Sequence, residues 1–171
     1  MKNKVQKLTA SGLCLALALL LPFLTGQIPQ IGGMLCPMHL PVLLCGFLCG
    51  GPWGLAVGAV APLLRNLLFG MPPLYPTAIS MCFELAAYGA IAGFLYPKMK
   101  EKGLTGTYIT LLTAMLLGRI VWALVRMILM VGGAAFSLPI FLADGFINAI
   151  PGIIVQLLLI PLLVHAVERR K

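Results

Sequence analysis

Charge is the scarcest commodity in this chain. Only 9% of its 171 residues are charged, and just four of those are acidic. A soluble domain carries about a quarter charged residues, because its surface must be solvated. With 61% hydrophobic residues there is too little polar material here to coat such a surface. Catalytic signatures are missing as well. No HExxH or GxSxG occurs, and a single aspartate rules out an aspartyl dyad within the chain. No GxxxxGK[ST] is present, so any work done by ATP belongs to a partner. There is no CxxC and no His/Cys cluster with metal-ligand spacing. Cys14, Cys36, Cys45, Cys49 and Cys82 all lie inside apolar runs, where thiols act as small hydrophobes. Neither a catalytic residue, a metal nor a cofactor is expected.

What is present is a series of apolar runs separated by breakers. They predict an all-α integral membrane protein, a compact bundle of six transmembrane helices forming one domain over residues 1–171. The helices are expected at about residues 8–24, 35–49, 55–69, 77–96, 105–131 and 141–167. Six spans of about 20 residues use almost the whole length. The sequence Gly50-Gly51-Pro52-Trp53-Gly54 reads as a sharp turn, and Pro97 as the end of the fourth helix. The second and third helices are short for full spans. The amino-terminal run resembles a signal peptide, but Ala16 and Ala18 lie within it rather than after it, so an uncleaved first helix is expected.

The net charge of +8 is a topological signal. Nine of the twelve cations form three clusters, Lys2/Lys4/Lys7, Lys98/Lys100/Lys102 and Arg169/Arg170/Lys171, each beside an apolar run. Basic flanks mark cytoplasmic segments, which places both termini inside and the 1–2, 3–4 and 5–6 loops outside. The aromatic-interleaved basic face of a nucleic-acid binder is absent.

Arg65, Glu84, Arg119, Arg126 and Asp144 fall within the expected spans. Each costs about 2.5–3.5 kcal/mol at a helix centre, roughly 12–18 kcal/mol together, so they must be paired, hydrated or facing a cavity. Four of them sit towards the outer ends, with Arg119 nearer the middle. Arg119, Trp122 and Arg126 share one helical stripe, Asp144 and Asn148 another, and Glu84 and Tyr88 a third. An outward-opening polar cluster of this kind suits a small solute arriving from outside. Its expected members are Glu84, Arg126, Asp144 and Asn148, joined by Arg65 and Trp122. The competing structural reading pairs Arg126 or Arg65 with Glu84 or Asp144. His39 is read as a packed or pocket-edge residue, and His165 as interfacial.

Small residues recur every fourth position. Gly46, Gly50, Gly54 and Gly58 form one series; Gly89 and Gly93, with Ala86 and Ala90, form another. Such faces let helices approach closely in lipid, and packing within the bundle is the expectation. On the first helix, Ala10, Cys14 and Ala18 line one side and Gly12 and Ala16 another.

From residue 41 to residue 96 the sequence resembles the substrate-binding S components of energy-coupling factor (ECF) vitamin transporters. The resemblance rests on Pro41, Gly46, Gly50-Gly51-Pro52, Gly54, Gly58 and Pro62, then Gly70-Met71-Pro72-Pro73, Glu84-Leu85, Tyr88-Gly89, Gly93 and Tyr96. It implies a subunit of the prokaryotic plasma membrane that captures a water-soluble vitamin or related micronutrient from outside. It also implies docking, through small residues of the first helix, onto a transmembrane coupling subunit driven by two cytoplasmic ATPases. Ala10, Cys14 and Ala18 match that docking face with a cysteine at its centre; Gly12 and Ala16 are the alternative pair. The excess of arginine over acid leans towards carboxylates such as pantothenate, niacin or folate rather than cationic thiamine. Riboflavin, pyridoxine, cobalamin and queuosine precursors are the alternatives. The rival reading is a self-sufficient secondary transporter or small channel with Glu84 as a proton-coupled carboxylate.

Overall fold

The computed structural model describes residues 3–24, 35–130 and 147–169. Those residues are helical throughout their regular elements, with no strand among them. The α-helices are α1 (Lys4–Leu24), α2 (His39–Cys49), α3 (Gly51–Phe69), α4 (Ile79–Met99), α5 (Gly103–Leu129) and α6 (Ile150–Glu168). Four described stretches are long and apolar enough to cross a membrane: Lys4–Leu24, Gly51–Phe69, Leu74–Leu129 and Ile150–Glu168. The third contains both α4 and α5, which pack together across the short turn Lys100–Lys102.

Burial is inverted relative to a soluble protein. Leu13 and Leu20 of α1, Leu63 and Leu67 of α3, Leu116 and Leu124 of α5, and Leu158 and Leu162 of α6 all point outwards. Arg65, Glu84, Arg119 and Gln156 are buried instead. Lipid is the solvent that makes both halves of that pattern favourable, since it costs apolar side chains nothing and charged ones several kcal/mol. The protein is therefore a multi-pass, all-helical membrane protein.

The central element is α2. Nearly every one of its residues is buried, and it packs against α1, α3, α4 and α6. It starts at His39 rather than near residue 35 because Cys36 sits at φ 47°, ahead of Pro37. A residue before proline is disfavoured in the helical region. Pro41 is accommodated in the first turn, where a missing N–H breaks no intrahelical bond.

The turn after α2 is tighter than the five-residue breaker suggested. Gly50 alone makes it, at φ 100° and ψ 170°, a conformation open only to glycine. Gly51-Pro52-Trp53-Gly54 is already the first turn of α3, with Pro52 preset for a helix start. Pro97 likewise lies inside α4, which continues to Met99. It forfeits one intrahelical bond, to the Gly93 carbonyl.

The small-residue series meet each other. A Cβ on Gly46 or Gly54 would come within 2.5 Å of the Gly89 carbonyl oxygen, and one on Gly58 would strike the backbone of Leu85. One on Gly93 would hit Gly50 and Gly51. The α2–α3 hairpin therefore crosses α4 with backbones nearly touching, the geometry that small-xxx-small faces permit.

Candidate functional site

Close packing of α4 on its neighbours carries Glu84 into the interior, 1% exposed. Two side chains converge on it. The Arg119 guanidinium of α5 lies 2.9 Å from Glu84 Oε1, and His39 Nε2 of α2 lies 3.4 Å from the same oxygen. Arg119 also donates to Cys36 Sγ at 3.6 Å, and the His39 ring stands edge-on to Tyr88 at 5.3 Å. Gly118 makes the approach possible: a Cβ there would collide with the Tyr88 ring. Glu84 and Arg119 thus neutralise one another in a low-dielectric interior, where the mutual attraction is strong and separation is costly.

The stripe continues towards the end of α5. Trp122 is buried, and the Arg126 guanidinium stacks over its ring at 5.3 Å. Arg126 is half-buried and its Nε has no hydrogen-bond partner among the described residues. Its charge is therefore set beside an aromatic face, an arrangement suited to a planar or carboxylated solute.

The expected site residues separate into three groups. Glu84, Trp122 and Arg126 fall on the connected α4–α5 surface just described. Asn148 lies exposed in the turn leading into α6, and Asp144 is outside the described residues. Arg65 is elsewhere. Its Nη1 donates to the Leu19 carbonyl of α1 at 2.6 Å, and its guanidinium lies between the rings of Phe23 (5.2 Å) and Phe69 (5.4 Å). Arg65 pins α1 to α3, and Glu84 is paired with Arg119 instead.

Arg119, His39 and Cys36 were not among the expected site residues. The sequence places Arg119 on the stripe of Trp122 and Arg126, nearer the middle of its helix than the other charges. Depth is the reason it can reach Glu84, five residues into α4. Gln156 of α6, also buried, carried the available signal of a lone amide in an apolar span.

On α1 the small-residue faces point in different directions. Cys14 and Ala18 are buried and Ala10 is half-buried, beside Ser11, whose Oγ accepts from Cys45 Sγ of α2 at 3.5 Å. Gly12 and Ala16 are exposed, and a Cβ on Gly12 would meet nothing within 4 Å. The Ala10/Cys14/Ala18 face is thus turned to the bundle in this structure, and the Gly12/Ala16 face is open.

At the opposite end, Lys100 Nζ meets Glu168 Oε1 at 2.7 Å, and the Tyr96 hydroxyl donates to Glu168 Oε2 at 3.0 Å. This clasp joins the α4–α5 turn to the end of α6, so the basic α4–α5 turn and the basic carboxyl-terminal end share one side of the bundle.

Comparison with curated proteins and with solved structures returns no match. Comparison with protein families matches the ECF transporter substrate-specific component over residues 6–164. That family is a transporter component rather than an enzyme. The match runs through every described helix, including the α2–α4 crossing and both halves of the buried Glu84–Arg119 pair. The chain belongs to the substrate-specific components of ECF transporters.

Proposed function

We propose that the chain captures a water-soluble vitamin or related micronutrient outside a prokaryotic plasma membrane and delivers it for ATP-driven uptake by partner subunits. The observation that carries this reading is the Arg126–Trp122 platform, contiguous with the neutralised Glu84–Arg119–His39 set. It supplies a cation with no acidic partner among the described residues, set over an aromatic face. Arg126 clamps a carboxylate or carbonyl of the ligand, Trp122 stacks on it, and Glu84, Asn148 and Asp144 accept from its hydroxyl, amide or ring N–H groups. Arg65 has no part in the pocket on this reading.

The whole chain, residues 1–171, acts as one six-span domain with both termini cytoplasmic. Lys4, Lys7, Lys98, Lys100, Lys102 and Arg169 then lie on the cytoplasmic side, as the positive-inside rule requires. The coupling subunit docks on α1 at Gly12 and Ala16, the small residues that the bundle leaves uncovered, and two ATPases drive the cycle.

The test is uptake of radiolabelled vitamins into cells expressing the chain with and without an ECF coupling module. Accumulation that requires the module and ATP hydrolysis is the expected result. Accumulation by the chain alone, collapsing with the proton gradient, would replace this reading with the secondary transporter.

A further inference from the structure

Along α6 an amide interrupts an apolar face. Gly152, Gln156, Ile160 and Val164 recur every fourth residue, and all are buried. Gln156 is 2% exposed, yet its Oε1 has no hydrogen-bond partner among the described residues. Helix α6 packs against α2 and α5, so its buried face looks into the seam between them. His39, the first residue of α2, is 3% exposed, and its Nδ1 likewise has no hydrogen-bond partner among the described residues.

Glu84 meets Arg119 across α4 and α5, and Trp122 lies three residues, about 4.5 Å, nearer the end of α5. The Tyr96–Glu168 clasp ties the ends of α4 and α6, and twelve residues back from its two members lie Glu84 and Gln156, which puts Gln156 near the level of the Glu84–Arg119 pair. An acceptor buried without a donor opposes folding, and in lipid no bulk water relieves it. Such atoms are rare in native proteins and call for a specific partner.

We infer that Gln156 reads the transported solute: its Oε1 accepts a hydrogen bond from an N–H or O–H of the bound molecule. His39 Nδ1 is a second contact from the facing helix, and Arg126 Nε meets an oxygen of the same molecule nearer the mouth. The cargo is thereby assigned to solutes that combine a hydroxyl, amide or ring N–H donor with a carboxylate or carbonyl oxygen. A solute offering only apolar surface, or only a cation, leaves these atoms unsatisfied. This inference rests on the proposed role as a substrate-binding component.

Calorimetric titration in nanodiscs tests it, using pantothenate, nicotinate, folate, riboflavin, pyridoxine and thiamine as probes. The wild type, Gln156→Leu and Gln156→Met are compared, with thermal unfolding measured on each. The bound probe is then exchanged for an analogue methylated on its donor nitrogen or oxygen.

Gln156→Leu is expected to melt no lower than the wild type, because an unsatisfied amide has been removed, but to bind at least about tenfold more weakly, a ΔΔG of about 1.4 kcal/mol. Methylation should weaken wild-type binding by a similar factor and leave the Leu variant nearly unaffected. If Gln156→Leu does not fold, Gln156→Met, closer in shape, carries the same comparison. Wild-type affinity in the variant, or an equal methylation penalty in both proteins, would overturn the role of Gln156 while leaving the S-component reading intact. Folded wild type that binds none of the six probes overturns both together.

Discussion

Glu84 and Arg119 form a pair whose members depend on each other more than the bundle depends on the pair. Removing one partner leaves an uncompensated charge inside the membrane. Arg119→Leu should therefore destabilise the protein by about 3–5 kcal/mol, read as a lowered melting temperature in detergent. Replacing both, Glu84→Leu with Arg119→Leu, should recover most of that loss. A double variant no more stable than the single one would show that Arg119 acts through something other than Glu84. Arg126 and Arg65 differ in the same experiment. Arg126→Ala should abolish ligand binding with little loss of folded protein. Arg65→Leu should cost about 1.5–3 kcal/mol through its lost bond to the Leu19 carbonyl and leave ligand affinity unchanged. The opposite pattern would move the pocket to the α1–α3 side.

At the scale of elements, the α2–α3 hairpin and α4 form the rigid half of the molecule, held by glycine contacts that admit no side chain. Gly58→Val should push α3 off the Leu85 backbone and cost about 3 kcal/mol or more, measured as loss of folded, monodisperse protein. Gly12→Leu, facing open space, should fold and bind ligand normally but fail in uptake with the coupling module. Much of this was legible beforehand. The four-residue spacing of Gly54 and Gly58 and of Gly89 and Gly93 marked small-residue faces for packing within the bundle, though not which helices they join. The direction of the α1 stripes was not legible, because Ala10/Cys14/Ala18 and Gly12/Ala16 are equally small and only the position of α2 decides between them. Helix ends near Pro52 and Pro97 were misplaced for one physical reason. Proline does not by itself end a helix: Pro52 sits in the first turn, where its missing N–H breaks no bond, and α4 runs on past Pro97 as α3 and α6 run past Pro62 and Pro161.

For the whole molecule, low charge and long apolar runs made membrane residence evident, and the outward-facing leucines agree with it. The partners of the intramembrane charges were not evident. Sequence spacing relates residues on one helix, whereas Arg119, Glu84 and His39 meet from three. Orientation is a property at this scale too. Green fluorescent protein fused after Lys171 should fluoresce, since it matures in the cytoplasm; a dark but full-length fusion would invert the proposed topology. The central claim is that this chain holds a solute beside Trp122. Intrinsic tryptophan fluorescence, titrated with a vitamin panel, measures that claim most directly, because Trp53 lies at the opposite end of the bundle, in the first turn of α3. Saturable quenching at nanomolar ligand, one molecule per chain, lost in Trp122→Phe and retained in Trp53→Phe, is the predicted result. Quenching that survives Trp122→Phe, or no response to any vitamin up to millimolar concentration in folded protein, would contradict it.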